Sequence, residues 1–137
     1  MNKDVIIKVT GFSTNGDGET DTNETSSKAS YYYKNGAHHI LCEDEMSART
    51  ARYRIGHRTL EVIRNGDLRG RMLFEAGRTF TGAYRTPYGP MTLTFETRQY
   101  ALYEENGVLR AEASYRILNG DRQISENRIV VLITEEA

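Results

Sequence analysis

All fourteen arginines of this 137-residue chain fall after residue 48, and all four lysines fall before residue 35. Arg52 and Arg54 share one face of an alternating run, as do Arg69 and Arg71, while Arg64, Arg85 and Arg98 stand near the ends of such runs. Guanidinium pairs on neighbouring strands make planar, bidentate sites for carboxylate or phosphate. With the tyrosines that flank Arg85, the candidate ligand-binding set is Arg52, Arg54, Arg64, Arg69, Arg71, Tyr84, Arg85 and Tyr88. Three readings follow. Arginines that face outward pair with acids on a wet sheet, or form a patch for nucleic acid. Arginines that face inward hold the carboxylate of a small amphiphile against apolar walls. Aromatic interleaving favours nucleic acid through base stacking; Tyr53 and Tyr84 qualify, but Tyr31-Tyr32-Tyr33 lies in another third of the chain.

The run His38-His39-Ile40-Leu41-Cys42 has the residue types of a metal or nucleophile site. Its spacing argues against zinc. On a strand His38 and Cys42 share a face but stand roughly 13 Å apart at ~3.3 Å per residue. Tetrahedral zinc needs ligands at ~2.0–2.3 Å. His38 and His39 point to opposite faces, so rim positions for the histidines and a buried, inert Cys42 are expected. The acids Glu43-Asp44-Glu45 and Glu104-Glu105 fall at turns, where carboxylates are solvated. No glycine-rich phosphate loop opens a helix, and neither Gly-x-Ser-x-Gly nor His-Glu-x-x-His occurs. No residue qualifies as catalytic or metal-binding and no cofactor is implied, which favours a non-catalytic module.

These residues must be positioned by strands. Asn-Gly, the strongest short-range hairpin signal, occurs at 15-16, 35-36, 65-66, 106-107 and 119-120. Between these marks the period is two: Val5, Ile7 and Val9 alternate with polar residues, as do Ala51, Tyr53 and Ile55, and Leu109, Ala111, Ala113, Tyr115 and Ile117. The pattern predicts strands at 4–12, 26–34, 37–43, 49–56, 58–64, 68–75, 78–86, 91–103, 107–118 and 122–134. It predicts no helix beyond one turn within 43–51, and a mobile loop over 15–27, which lacks any large apolar residue. In Thr86-Pro87-Tyr88-Gly89, proline suits the first central position of a type I turn and glycine the left-handed position that follows, giving a three-residue hairpin loop. Pro90 then begins a strand, where a missing N–H is tolerated. Ten short strands without linker or repeat make a single all-β domain, 1–137. Such an antiparallel up-and-down meander, eight to ten strands long with little helix, disposes of its edges by closing into a barrel.

Charge is unevenly spread within a formal net of −1: residues 1–45 sum to −4, 46–89 to +6 and 90–137 to −3. The basic middle third is the feature that favours an anionic partner. No apolar run approaches the ~20 residues of a membrane helix, and the N-terminal residues are too short and too broken by Lys8 for a signal peptide. One cysteine excludes an internal disulfide and points to a reducing, cytoplasmic location. Oligomeric state is not encoded in these patterns.

Arg64-Asn65-Gly66, Phe74 with Gly77, the run Tyr84-Arg85-Thr86-Pro87-Tyr88-Gly89, Thr97 and Tyr115 resemble the YwiB-like family of Firmicutes, domain of unknown function 1934. The resemblance runs from about Val5 to Glu135. It implies a calycin-type barrel, similar in architecture to lipocalins and fatty-acid-binding proteins, and it implies no activity, cofactor or catalytic residue. The chain has no tryptophan and so lacks the early Gly-x-Trp of lipocalins proper. Two functions lead, ahead of an enzyme as the third: a barrel that binds a small amphiphilic or anionic ligand, or a protein that associates with RNA or another polyanion through the 46–89 arginines.

Overall fold

The computed structural model describes residues 3–44, 49–66 and 69–135, and every regular element among them is a strand. The first five are β1 (Lys3–Asn15), β2 (Thr20–Lys34), β3 (Ala37–Asp44), β4 (Arg49–Ile55) and β5 (Thr59–Asn65). The rest are β6 (Gly70–Glu75), β7 (Thr79–Thr86), β8 (Gly89–Glu105), β9 (Val108–Asn119) and β10 (Arg122–Glu135). They form one antiparallel sheet in the order β6-β5-β4-β3-β2-β1-β10-β9-β8-β7. The two ends of that order meet at a bridge between Arg69 and Arg85. The Arg69 amide donates to the Arg85 carbonyl at 2.9 Å and the reverse bond is 2.8 Å. The result is a nearly closed ten-stranded barrel, at the upper end of the expected range.

Closure follows from the alternation, because a sheet with one apolar face buries it by curling on itself. Ile40, Ile55, Leu60, Val62, Phe74, Ala111 and Val131 have no exposed surface. Phe74, Phe95 and Tyr115 pack as a tilted aromatic cluster, with 4.5 Å between the Phe74 and Tyr115 ring centres. Each such ring or branched side chain stabilises the fold by about 2–3 kcal/mol through burial. The β6–β7 seam is finished by Tyr84, whose ring lies over Gly70 and whose hydroxyl donates to the Arg71 carbonyl at 2.7 Å.

One expectation is overturned between Asn15 and Ala51. The segment 15–27 is no loop: β2 begins at Thr20 and pairs with β1 from Thr14↔Thr20 to Lys3↔Tyr31. It needs no large apolar residue because residues 20–24 are exposed and Asn23, Thr25 and Ser27 line a partly polar cavity. Of the stretch 43–51, for which the sequence allows a single helical turn, Glu43 and Asp44 end β3 and residues 49–51 begin β4, while 45–48 lie outside the described residues.

The Asn-Gly turns differ among themselves. Asn35-Gly36 and Asn106-Gly107 have positive φ at both positions, as type I′ hairpins require. At 119-120 only the glycine is positive, the type II′ pattern. At 15-16 the turn is longer: Asn15 Oδ1 accepts the Asp17 and Glu19 amides, each at 3.0 Å, and Gly18 carries the positive φ. Asn65 ends β5 and Gly66 follows it, directly before residues outside the described set.

The proline hairpin is one residue shorter than expected. Thr86 pairs with Gly89, leaving a two-residue loop of Pro87 and Tyr88. Thr86 Oγ1 accepts the Tyr88 amide at 3.1 Å and donates to the Gly89 carbonyl at 2.9 Å. Pro90 stands opposite Arg85, whose backbone groups both turn away to Arg69, so its missing N–H breaks no ladder bond. Gly89 has φ 116°, a conformation closed to side chains, although a Cβ there would meet no atom within 4 Å. Gly89→Val is therefore expected to cost about 1–2 kcal/mol through backbone strain alone. Tyr88, fully exposed, should accept serine without loss. Paired thermal melts decide it; a loss for Tyr88→Ser with none for Gly89→Val would refute the turn assignment.

Candidate functional site

Alternation sorts the arginines. On β4, Ala51, Tyr53 and Ile55 are buried and face the interior, so Arg52 and Arg54 face outward and are exposed. Arg71 is also outward, ion-paired with Glu61 across the β5–β6 ladder, its guanidinium 5.3 Å from the Phe80 ring centre. Arg98 pairs with Glu126 at 3.1 Å. Arg69 and Arg85 contribute backbone bonds to the seam while their side chains are exposed. Tyr84 is buried in the seam, and Tyr88 projects from the turn tip. Of the eight candidates, Arg64 alone lines the interior cavity. It follows Leu60 and Val62 on the inward face of β5.

That cavity has a volume of about 160 Å³. Arg64, Tyr53 and Tyr115 meet there with the short polar side chains Asn23, Thr25 and Ser27 of β2. The apolar part of the wall comes from Ile7, Val9, Met72 and Ile129, with the buried Cys42 thiol beside Ala51. The interior residues Leu60, Val62, Phe74, Phe95 and Tyr115 therefore do not pack the barrel solid. Asn23, Thr25 and Ser27 were hidden in the segment that reads as a loop. Their period of two was the available signal, but without large apolar partners it resembled linker composition.

Burial pushes the Tyr115 hydroxyl up to about 12, while the Arg64 guanidinium opposes the rise by favouring phenolate. Burial likewise raises Tyr84 and Tyr100, whose hydroxyls donate to the Arg71 and Gly56 carbonyls, each at 2.7 Å. Each folded-state value lies above the ordinary tyrosine value of about 10. Their contribution to stability is thus complete below about pH 10 and is lost as pH rises through about 12, where Tyr115 ionises. Alkaline titration should show delayed phenolate absorbance and loss of fold in that window. Removal of the guanidinium should shift Tyr115 ionisation upward; a downward shift in Arg64→Gln would contradict the placement of Arg64.

Residues 7–131 match the family described as Domain of unknown function (DUF1934), a span that takes in the cavity wall and the proline hairpin. The chain belongs to the DUF1934 family. Its barrel is similar to the crystal structure of the ywiB protein from Bacillus subtilis, with a TM-score of 0.86 at 14% identity, covering 99% of this chain and 94% of that one. At that identity the likeness shows the fold alone. No curated protein matches the chain. In this DUF1934 barrel no helix of the described residues is long and apolar enough to cross a membrane.

Proposed function

We propose that this DUF1934 barrel binds one small organic anion in the cavity around Arg64. The observation that carries the reading is a guanidinium in the wall of a cavity that also presents Ile7, Val9, Met72 and Ile129. A charged head on Arg64 with a short apolar body against those side chains is the complementary ligand. Tyr115, Tyr53, Thr25 and Ser27 supply hydroxyls to the remaining carboxylate lone pairs. Size narrows the class. A cavity of about 160 Å³ matches the ~150 Å³ that holds one benzene, so a short or monocyclic acid fits and a long-chain fatty acid does not fit inside. Native mass spectrometry of protein purified from its own host tests the reading. A bound acid of that size supports it, and protein with no small-molecule adduct counts against it.

A second reading has one favourable observation. The register aligns Tyr32, His39, Arg54 and Glu61 across the outer face, and the Tyr32 and His39 rings stack 4.7 Å apart at 4°. A stacked aromatic pair beside an exposed guanidinium is a platform for an unpaired base. Against it stand the engagement of Arg71 by Glu61 and the net charge of −1. If the outer face binds single-stranded RNA, replacing Arg52 and Arg54 with glutamine should reduce the salt slope of log affinity by about 0.7 per lost phosphate contact. Fluorescence anisotropy at low salt measures it; no binding by the unmodified protein ends this reading.

A further inference from the structure

Beyond the Arg64 cavity, a second constellation closes the opposite end of the barrel. Lys3 and Val5 of β1 line it, whereas Ile7, Val9 and Gly11 line the Arg64 cavity. In this second pocket, of about 330 Å³, the Tyr31 hydroxyl lies 2.6 Å from His38 Nδ1, and His38 Nε2 lies 2.5 Å from Glu104 Oε1. The chain of contacts crosses the mouth: β3 and β8 stand five places apart in the ten-strand order, on opposite sides of the barrel. The His38 side chain is 14% exposed, Tyr33 sets its edge against the ring at 5.0 Å, and the two together leave the imidazole little freedom to rotate.

The donors can be assigned from chemistry. An ionised Glu104 only accepts, so Nε2 carries the imidazole proton; a neutral ring then accepts at Nδ1, and Tyr31 donates to it. The order is hydroxyl, base, carboxylate: a nucleophile whose proton has an acceptor in reach, and a base held in one tautomer by a third group. We propose that Tyr31, His38 and Glu104 form a nucleophilic site for small uncharged acyl esters. Val5, Leu109 and Ile133 give the pocket an apolar wall. Glu104, Glu105 and Glu135 outnumber Lys3 in the lining, which disfavours anionic substrates.

Tyr31 Oη attacks the acyl carbon while its proton passes to His38 Nδ1 and the carbonyl π pair moves onto oxygen. The Lys3 ammonium, 5.2 Å from the Tyr31 ring centre and paired with Glu135 at 2.9 Å, is the cation on that wall. Collapse of the tetrahedral species breaks the bond to the alkoxy oxygen, which takes the proton from Nδ1 and leaves as the alcohol. Water then cleaves the Tyr31 ester, His38 again accepting the proton and returning it to the phenolate leaving group. Glu104 stabilises the imidazolium in both halves.

Two probes of the full chain test this. Benzenesulfonyl fluoride gives a stable adduct with activated tyrosine, and peptide mapping ranks the sites. Burial raises the Tyr31 hydroxyl above its ordinary value, so any gain in reactivity must come from His38 as base. With that base Tyr31 should be modified at least tenfold faster than Tyr88 or Tyr103, although these are 100% and 53% exposed. Glu104→Gln, a change at a half-exposed side chain, should slow Tyr31 at least tenfold and leave Tyr88 unchanged. With p-nitrophenyl acetate, nitrophenolate release should fall at least tenfold in both Glu104→Gln and Tyr31→Phe. The proposal is overturned if Tyr31 reacts no faster than Tyr88, if Glu104→Gln leaves its rate unchanged, or if ester cleavage survives Tyr31→Phe.

Discussion

Replacing Gly70 with valine is expected to cost about 3 kcal/mol, the upper end for overpacking a filled site. In a domain of this size that lowers the melting temperature by about 10 °C. The backbone at Gly70 is not strained, so conformation is not the cause. A Cβ built there would enter the ring of Tyr84, overlapping Cδ1 and Cε1 at once. That ring cannot retreat, because its hydroxyl is tied to the Arg71 carbonyl and its edge packs on Phe95, 5.9 Å between centres. Added bulk must therefore push β7 away from β6, at the seam where the barrel closes. A double-mutant cycle separates this from a general intolerance of β6. With Tyr84 already changed to alanine, Gly70→Val should cost less than about 1 kcal/mol, since contacting residues couple strongly. Full additivity of the two changes would show that Tyr84 is not the obstacle.

Only its sequence neighbours place Tyr84 among the candidate ligand residues. In the sequence it stands beside Arg85 and Tyr88, and nothing local tells a tyrosine that closes a seam from one that lines a mouth. The contact that decides its role is with Gly70, a neighbour fixed only when the first six strands meet the last four. The strands were legible because period two and Asn-Gly turns act over a few residues. The first part of β2 was not, because residues 20–24 are exposed, and Asn23, Thr25 and Ser27, which line a partly polar cavity, carry no hydrophobic signal. Arg64 was visible as a candidate, yet its inward direction depends on sharing the face of Leu60 and Val62 while Arg52 and Arg54 fall on the other face of β4. His38 and Glu104 could not be joined at all from sequence, since 66 residues separate them and their meeting depends on barrel closure.

The second large effect is on binding. A carboxylate gripped by a guanidinium through two parallel N–H···O bonds gains about 1.5–3 kcal/mol per charged hydrogen bond. Arg64→Gln should then weaken small-anion binding by about a hundredfold or more. Arg52→Gln, on the outer face, should leave it unchanged. A neutral ligand of the same shape would lean on Ile7, Val9 and Ile129 alone and should bind the Arg64→Gln protein as well as it binds the original.

The most direct measurement is isothermal titration of butyrate, benzoate and the neutral butanol into the unmodified protein, Arg64→Gln and Arg52→Gln, with equal melting temperatures as the check on folding. The account predicts one site that prefers the two acids, loss of that preference in Arg64→Gln, and no change in Arg52→Gln. Acid binding that is absent from the unmodified protein, or that survives Arg64→Gln intact, would contradict it.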